Sequence, residues 1–368
     1  MRNLSSHTRP PVVVILILLG FGTLIGSLSA PLQAQWQIKN DQGETVLKFG
    51  LLGQGWMQAA ELPGGQSWSR NLYLRRLRLI SGGTLHRQVT FFFDTDSPCL
   101  GKGEAGGKNT ADIFIQDFFV TWSTGNRFKL DGGMILVPIC YNCTQSAASL
   151  MSVDYGAYSF LASGPTTSRV GRDYGLQARG YVFNQNLEYR AGVFQGYRDQ
   201  DSTTPFRYTA RVAYQPFAKQ TGVFYSGTHL GAQKALSLGA SVDGQGDYRT
   251  YAMDLFYDQP VRGGDGITLQ FDYLRHDGGT LLKSLPRQNA YLTEFGYYLH
   301  KTRLGFFGQL SWRDFLSAAT CDENKMQFGV SRYFSGHNLS LKLGYGRLLK
   351  DGEAGRNEVV LQLQAFVF

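Results

Sequence analysis

The feature that most constrains this chain is a period of two. Phe206, Tyr208, Ala210, Val212 and Tyr214 fall on one parity while Arg207, Thr209, Arg211 and Gln215 fall on the other. Leu304, Phe306, Gly308, Leu310 and Trp312 stand in the same way against Arg303, Gln309, Ser311 and Arg313, and Leu339, Leu341, Leu343 and Tyr345 against Ser340, Lys342 and Gly344. Successive side chains of a β-strand point to opposite faces, so each stretch is a strand with one apolar and one polar face. After Ala34 no apolar run approaches the roughly 20 residues that a membrane-crossing helix needs, which excludes a helical membrane protein.

Alternation alone also fits a soluble sandwich, where the apolar face would cover a core. The aromatics argue against that, because Phe206, Tyr208, Tyr214, Trp312 and Tyr345 sit near the ends of the apolar parity, where a membrane barrel carries its two interfacial girdles. Link lengths agree. Thr124-Gly125-Asn126, Asn184-Gln185-Asn186 and Lys301-Thr302 are short, whereas residues 97–110, 139–170 and 315–324 are long, the asymmetry of short periplasmic turns and long external loops. Sixteen candidate strands run from 46–58 to 357–368; an even number closes an antiparallel barrel, and about sixteen strands enclose an aqueous lumen. The fold class expected is all-β, a transmembrane antiparallel barrel. The stretch 218–235 fits least and is expected to hold a long turn or an extra strand pair.

Residues 1–34 differ in kind. Arg2 and Arg9 precede the apolar run Val12 to Leu19, and Leu32-Gln33-Ala34 offers a cleavage point, so residues 1–34 read as a signal peptide and 35–368 as the barrel. An uncleaved anchor is the alternative. Its removal leaves 34 basic against 28 acidic side chains, a net charge of +6. There is no Lys/Arg run of five and no nucleic-acid-binding motif, so with export nucleic acid is not an expected partner. The chain ends in an alternating strand closed by Phe368, the kind of terminus that the barrel-assembly machinery reads in outer-membrane barrels.

The segment from Asn71 to Gly83, NLYLRRLRLISGG, resembles the LRRaRl…G motif of the phosphate-selective porin O and P family. Ile115 to Val120, Leu130 to Pro138, Gly171 to Gly175 and Asn338 to Tyr345 resemble the family in the same order, so the likeness covers most of residues 45–368. What the resemblance implies is a trimeric, sixteen-stranded anion channel with positive side chains along its pore and a loop folded inward to constrict it.

The polar parity would face the lumen, which nominates Arg76, Arg78, Lys129, Arg179, Arg190, Arg207, Arg211, Arg303 and Lys342 as pore-lining, anion-binding residues. A row of cations concentrates anions and replaces part of their hydration, and the guanidinium fork suits phosphate. Asp131, Glu188, Asp254, Asp258, Asp272 and Glu294 share that parity, however, and mixed signs equally describe an ordinary porin. The family's phosphate binding implies many lysines, against 12 Lys and 24 Arg here, so anion preference stands on firmer ground than phosphate. Arg75 falls on the apolar parity, where a lipid-facing Arg costs about 2–4 kcal/mol at the bilayer midplane, and is expected at a bulge or rim. Residues 139–170 are the candidate constriction loop, a connection long enough to be functional or plain surface decoration.

Cys99, Cys140, Cys143 and Cys321 lie at or near long loops, and export makes them candidates for disulfides: Cys140 and Cys143 could bridge locally, or one of them could reach Cys99. No metal site or cofactor is expected. Gly101 to Thr110 mimics a phosphate-binding loop, but its register fails and Asn109 replaces the required Ser or Thr. His276-Asp277 at a strand end resembles a catalytic pair, yet no nucleophile accompanies it. The reading is therefore an outer-membrane diffusion channel for small anions, not an enzyme. Its expected partners are lipid, the assembly machinery and two further copies in a homotrimer. The alternatives are a general or differently selective porin, then a structural or adhesin barrel, and last a barrel hydrolase.

Overall fold

The computed structural model describes residues 36–40, 45–65, 67–104, 106–110, 112–316 and 321–368, and residues Gln35–Phe368 form one compact unit. The candidate signal peptide, residues 1–34, lies outside the described residues. The strands are β1 (Trp36–Lys39), β2 (Val46–Glu61), β3 (Trp68–His86), β4 (Val89–Asp96), β5 (Gly103–Glu104), β6 (Gly107–Lys108), β7 (Phe114–Gly125), β8 (Phe128–Leu136), β9 (Arg172–Val182), β10 (Leu187–Phe194) and β11 (Arg207–Tyr214). They continue as β12 (Ala235–Gln245), β13 (Tyr248–Pro260), β14 (Gly266–Asp277), β15 (Gln288–Leu299), β16 (Leu304–Phe315), β17 (Glu323–Ser335), β18 (Leu339–Lys350) and β19 (Arg356–Val367). One short helix, α1 (Tyr141–Thr144), stands between β8 and β9.

Every strand from β2 to β19, apart from the β5–β6 hairpin, pairs antiparallel with its neighbours, and β19 returns to β2 with Gln362 opposite Trp56. Sixteen strands thus close a barrel among the described residues, at the positions the alternation marks. Closure satisfies every strand edge, which is what a sheet needs in a medium without water. β1 extends the seam by pairing Trp36 with Phe49. The β5–β6 hairpin occupies the Gly-rich stretch, with none of the strand-to-helix geometry of a phosphate-binding loop.

The two faces divide as the parity requires. Arg207, Thr209 and Arg211 are buried, while Phe206, Tyr208 and Val212 face outward and are exposed. Aromatic rings mark both ends of the outward stripe: Tyr273, Tyr291 and Trp312 stack across three strands at one end, and Tyr257, Tyr297 and Phe306 lie toward the other. Arg75 is resolved by a bulge. Gln54 pairs with Arg76 and Gly55 with Leu74, so Arg75 is the extra residue. Beyond the bulge the parity reverses, which turns Tyr73 inward and leaves Leu72 outward and 78% exposed.

Connections at one end are short, as at 126–127 and 300–303, and those at the other end are long. Two connections break the rule: residues 246–247 join β12 to β13 by a tight turn at the long-loop end, and residues 215–234 join β11 to β12 at the short-turn end and form no strand pair. Instead Tyr225 makes a parallel bridge with Gln145 of the long segment between β8 and β9.

Candidate anion path through the barrel

Antiparallel register sets one cation from each of four adjacent strands side by side. Lys129 on β8 lies opposite Arg179 on β9, Arg179 opposite Arg190 on β10, and Arg190 opposite Arg211 on β11. Ser123 and Ser241 flank the row. Two residues along the strands toward the short-turn end comes a carboxylate level: Glu188, then Asp254 opposite Asp272.

The three arginines of the row are each matched. Arg179 reaches Asp131 at 2.6 Å, Arg190 reaches Glu188 at 2.9 Å and Arg211 reaches Asp254 at 2.5 Å. Arg207 lies two levels toward the long-loop end and pairs with Asp243 at 2.7 Å and Asp173 at 3.4 Å. Arg78 on β3 meets Asp96 at 3.1 Å and Asp94 at 3.3 Å. Charges with so little water need partners. Lys129 and Lys342 differ: neither has an ion pair among the described residues, and both donate to backbone carbonyls instead.

Those carbonyls belong to two segments that approach the inward-facing side chains. Residues 137–171 bond to strands from β12 round to β3. Gln54 of β2 donates to the Ala147 carbonyl at 3.1 Å, Gln364 of β19 to Ala148 at 2.8 Å and Lys342 of β18 to Ser152 at 2.9 Å. Ser152 donates to Glu294 of β15 at 2.6 Å, and the Asn142 amide to Asp272 of β14 at 3.1 Å. Arg76 and Arg75 of β3 clamp Asp154 at 2.5 and 2.9 Å. Although burial opposes its ionisation, the two guanidinium groups hold the Asp154 carboxyl well below the usual carboxylate range. Cys140 and Cys143 form a disulfide across α1, which selects the local bridge, while Cys99 and Cys321 are free thiols.

Residues 215–234 approach from the other end and meet the cation row. Lys129 and Arg179 donate to the Thr221 carbonyl at 2.8 and 2.7 Å, and Arg190 to the Val223 carbonyl at 2.7 Å. The Tyr225 ring lies under Arg190 at 4.5 Å, and its hydroxyl donates to Glu188. Burial, the largest influence, pushes that phenol up to about 12, so it stays a donor at neutral pH. The two segments join through Ser146 N–H to the Tyr225 carbonyl at 2.9 Å and Tyr225 N–H to the Thr144 carbonyl at 2.8 Å.

Of the residues nominated from sequence, Arg76, Arg78, Lys129, Arg179, Arg190, Arg207, Arg211 and Lys342 lie on the inward parity, and all but the half-buried Lys129 are buried. Arg303 does not belong with them. It sits in the turn before β16 with φ 51°, exposed, donating to the Phe334 carbonyl at 2.8 Å, because the strand begins one residue later than the alternation suggests. The acids Asp131, Glu188, Asp254, Asp258, Asp272 and Glu294 are all buried inside. Arg172 lies outside the set that parity nominates: it is buried and bonded to Asp117 at 3.0 Å, yet within β9 it lies on the parity opposite Arg179. The strand turns there to enter the long segment, so parity misplaces its first residue; its place in the Gly171-Arg172-Asp173 motif was the only signal. His276 contacts Thr250 inside, whereas Asp277 pairs with Arg287 and faces away, so they form no catalytic pair.

The family model described as phosphate-selective porin O and P matches residues 58–244, just over half of the chain. The chain belongs to that family. This porin is accordingly an outer-membrane channel protein, and its strand count is that of the fold. Among solved structures, the anion-selective porin from Comamonas acidovorans is similar at 15% identity and a TM-score of 0.60, covering 88% of this chain and 100% of its own. OmpF of Salmonella typhi, solved with daunomycin, is similar at 12% identity and 0.58, covering 89% and 100%. The outer-membrane channel DcaP of Acinetobacter baumannii is similar at 9% identity and 0.56, covering 90% and 99%. At these identities the likeness speaks for the fold. No curated protein sequence matches the chain.

Proposed function

We propose that this porin is a passive diffusion channel for small anions, and the observation that carries the reading is the row Lys129, Arg179, Arg190 and Arg211 on four consecutive strands. Arg76, Arg78, Arg207 and Lys342 extend the cationic lining above and beside it. Carboxylate partners fix the guanidinium groups in place, and the unmatched Lys129 supplies the surplus positive charge that an anion meets. Residues 137–171, bonded to facing walls, act as the constriction, with residues 215–234 narrowing the path from the opposite end. Export through the signal at residues 1–34, recognition of Phe368 by the assembly machinery, embedding in lipid through the two aromatic girdles, and a homotrimer complete the reading.

A second reading rests on a specific observation: every arginine of the row has its own carboxylate, as in a general porin with a transverse field. Reversal potential across a salt gradient in a planar bilayer separates the two. Anion selectivity that falls in Lys129→Gln and Arg211→Ala supports the first reading, and selectivity near zero supports the second. Phosphate added to chloride on the same channels decides whether phosphate is the solute: block by phosphate marks a phosphate-type pore, whereas its absence leaves a less specific anion channel.

A further inference from the structure

Beside the cation row the lumen wall changes character. The inward parity of β4 and β7 carries Phe92 and Phe119, which stack with ring centroids 5.5 Å apart. Phe224 of the 215–234 segment meets Phe92 edge-on at 5.3 Å, and the terminal Phe368 meets it from the other side at 5.7 Å. Two glycines make room for that last ring: a Cβ on Gly50 would lie 2.8 Å from the Phe368 Cβ, and one on Gly82 would lie 3.0 Å from its Cζ. These rings and the cations Lys129 and Arg179 line one cavity of about 550 Å³ inside the barrel.

A phenyl cluster in a lumen is an odd neighbour for an inorganic anion. Hydrated phosphate or chloride buries no apolar surface against it, and the negative face of an aromatic ring repels an anion. A solute carrying both characters gains from both walls. Its ring would stack on Phe92 and Phe119, while its charge is met by Lys129, whose ammonium spends one donor on the Thr221 carbonyl. The volume lies within the range of small-molecule sites, of the order of 300–1,000 Å³, and exceeds what one ring and one carboxylate fill.

We propose that this cavity is a binding station for aromatic monocarboxylates of benzoate size, held by the phenyl cluster on one side and Lys129 on the other. The proposal rests on the reading of the protein as an anion channel and names the class of anion its lower lumen favours. Binding here is a resting point in diffusion: the solute enters by mass action, and no covalent step is involved.

The test is single-channel recording of the full-length protein in chloride, with benzoate, acetate or inorganic phosphate added at equal concentration. Isothermal titration of the detergent-purified protein with the same three anions accompanies it. Benzoate is expected to interrupt the chloride current, and to bind, at a concentration at least about tenfold below acetate, as one stacked ring would give. Phe92→Leu and Phe119→Ala should erase that tenfold preference while chloride conductance and reversal potential stay as in the parent, which shows that the variants remain folded channels. Lys129→Gln should weaken benzoate and acetate by a similar factor. Equal concentrations for benzoate and acetate in an anion-selective parent channel would overturn the proposal and leave the phenyl cluster as packing for the 215–234 segment. A parent channel without anion selectivity would instead overturn the reading on which the proposal rests.

Discussion

Two segments reach toward inward-facing residues from opposite ends of the barrel, and they are held by different means. Residues 137–171 are clipped by the Cys140–Cys143 disulfide, clamped at Asp154 by two arginines, and bonded to β2, β14, β15, β18 and β19. Residues 215–234 have no disulfide and lend mainly backbone carbonyls and one tyrosine to the cation row. The first is a built-in part of the wall. The second sets the backbone carbonyls of Thr221 and Val223 against Lys129, Arg179 and Arg190. The comparison teaches that a porin's inward cations can be satisfied by the chain's own backbone carbonyls as well as by carboxylates.

The sharpest way to break the comparison is to remove each segment in turn. Replacing residues 145–160 with a short Gly-Ser linker should raise single-channel conductance at least about twofold, since the narrowest part of a pore sets its conductance. Replacing 217–230 should give a smaller rise and a larger gain in anion selectivity, because it uncovers Lys129, Arg179 and Arg190. An unchanged conductance in the second deletion would mean that the segment does not restrict the path.

Single anchors should show a lesser effect. Asp154→Asn leaves Arg75 and Arg76 adjacent and unmatched and should cost about 2 kcal/mol in urea unfolding of the detergent-solubilised barrel, a partly exposed pair falling short of a buried one. Noisier open-channel current should accompany it. Tyr225→Phe removes the hydrogen bond to Glu188 and the one its hydroxyl accepts from Arg211, and should cost about 1.5 kcal/mol, read in the same unfolding experiment.

The smallest effect expected is that of pH. Asp154 has a depressed pKa in the folded barrel, so its contribution is complete above the unfolded carboxyl value near ~4 and is lost only as pH falls through the lower folded value. Tyr225 is raised, so its hydroxyl remains protonated well above neutral pH. Neither anchor should change between pH 5 and 8 on the order-of-magnitude scale of these shifts, and open-channel noise measured across that range should stay flat. A noise transition near pH 6 would show that one of the other contacts, such as that of Ser152 with Glu294, controls the motion instead of these two anchors.

The strands were legible because lipid outside and polar contents inside force a strict alternation, and a one-residue slip would turn every side chain to the wrong face. The same logic placed eight of the nine nominated cations on the inward parity, and it signalled the bulge at Arg75 through the cost of an Arg in lipid. It failed at strand ends, where Arg303 falls in a turn and Arg172 is twisted inward, since parity has meaning only inside a paired ladder.

What the sequence by itself determined is therefore the barrel: its faces, its even strand number and the sign of many inward charges, all properties repeated locally every two residues. What only the tertiary structure decided is which charges meet. Arg211 finds Asp254 across 43 positions and Arg76 finds Asp154 across 78. The segment 215–234 finds the cation row because Thr221 and Val223 offer backbone carbonyls, groups that every residue carries and that no sequence pattern can distinguish.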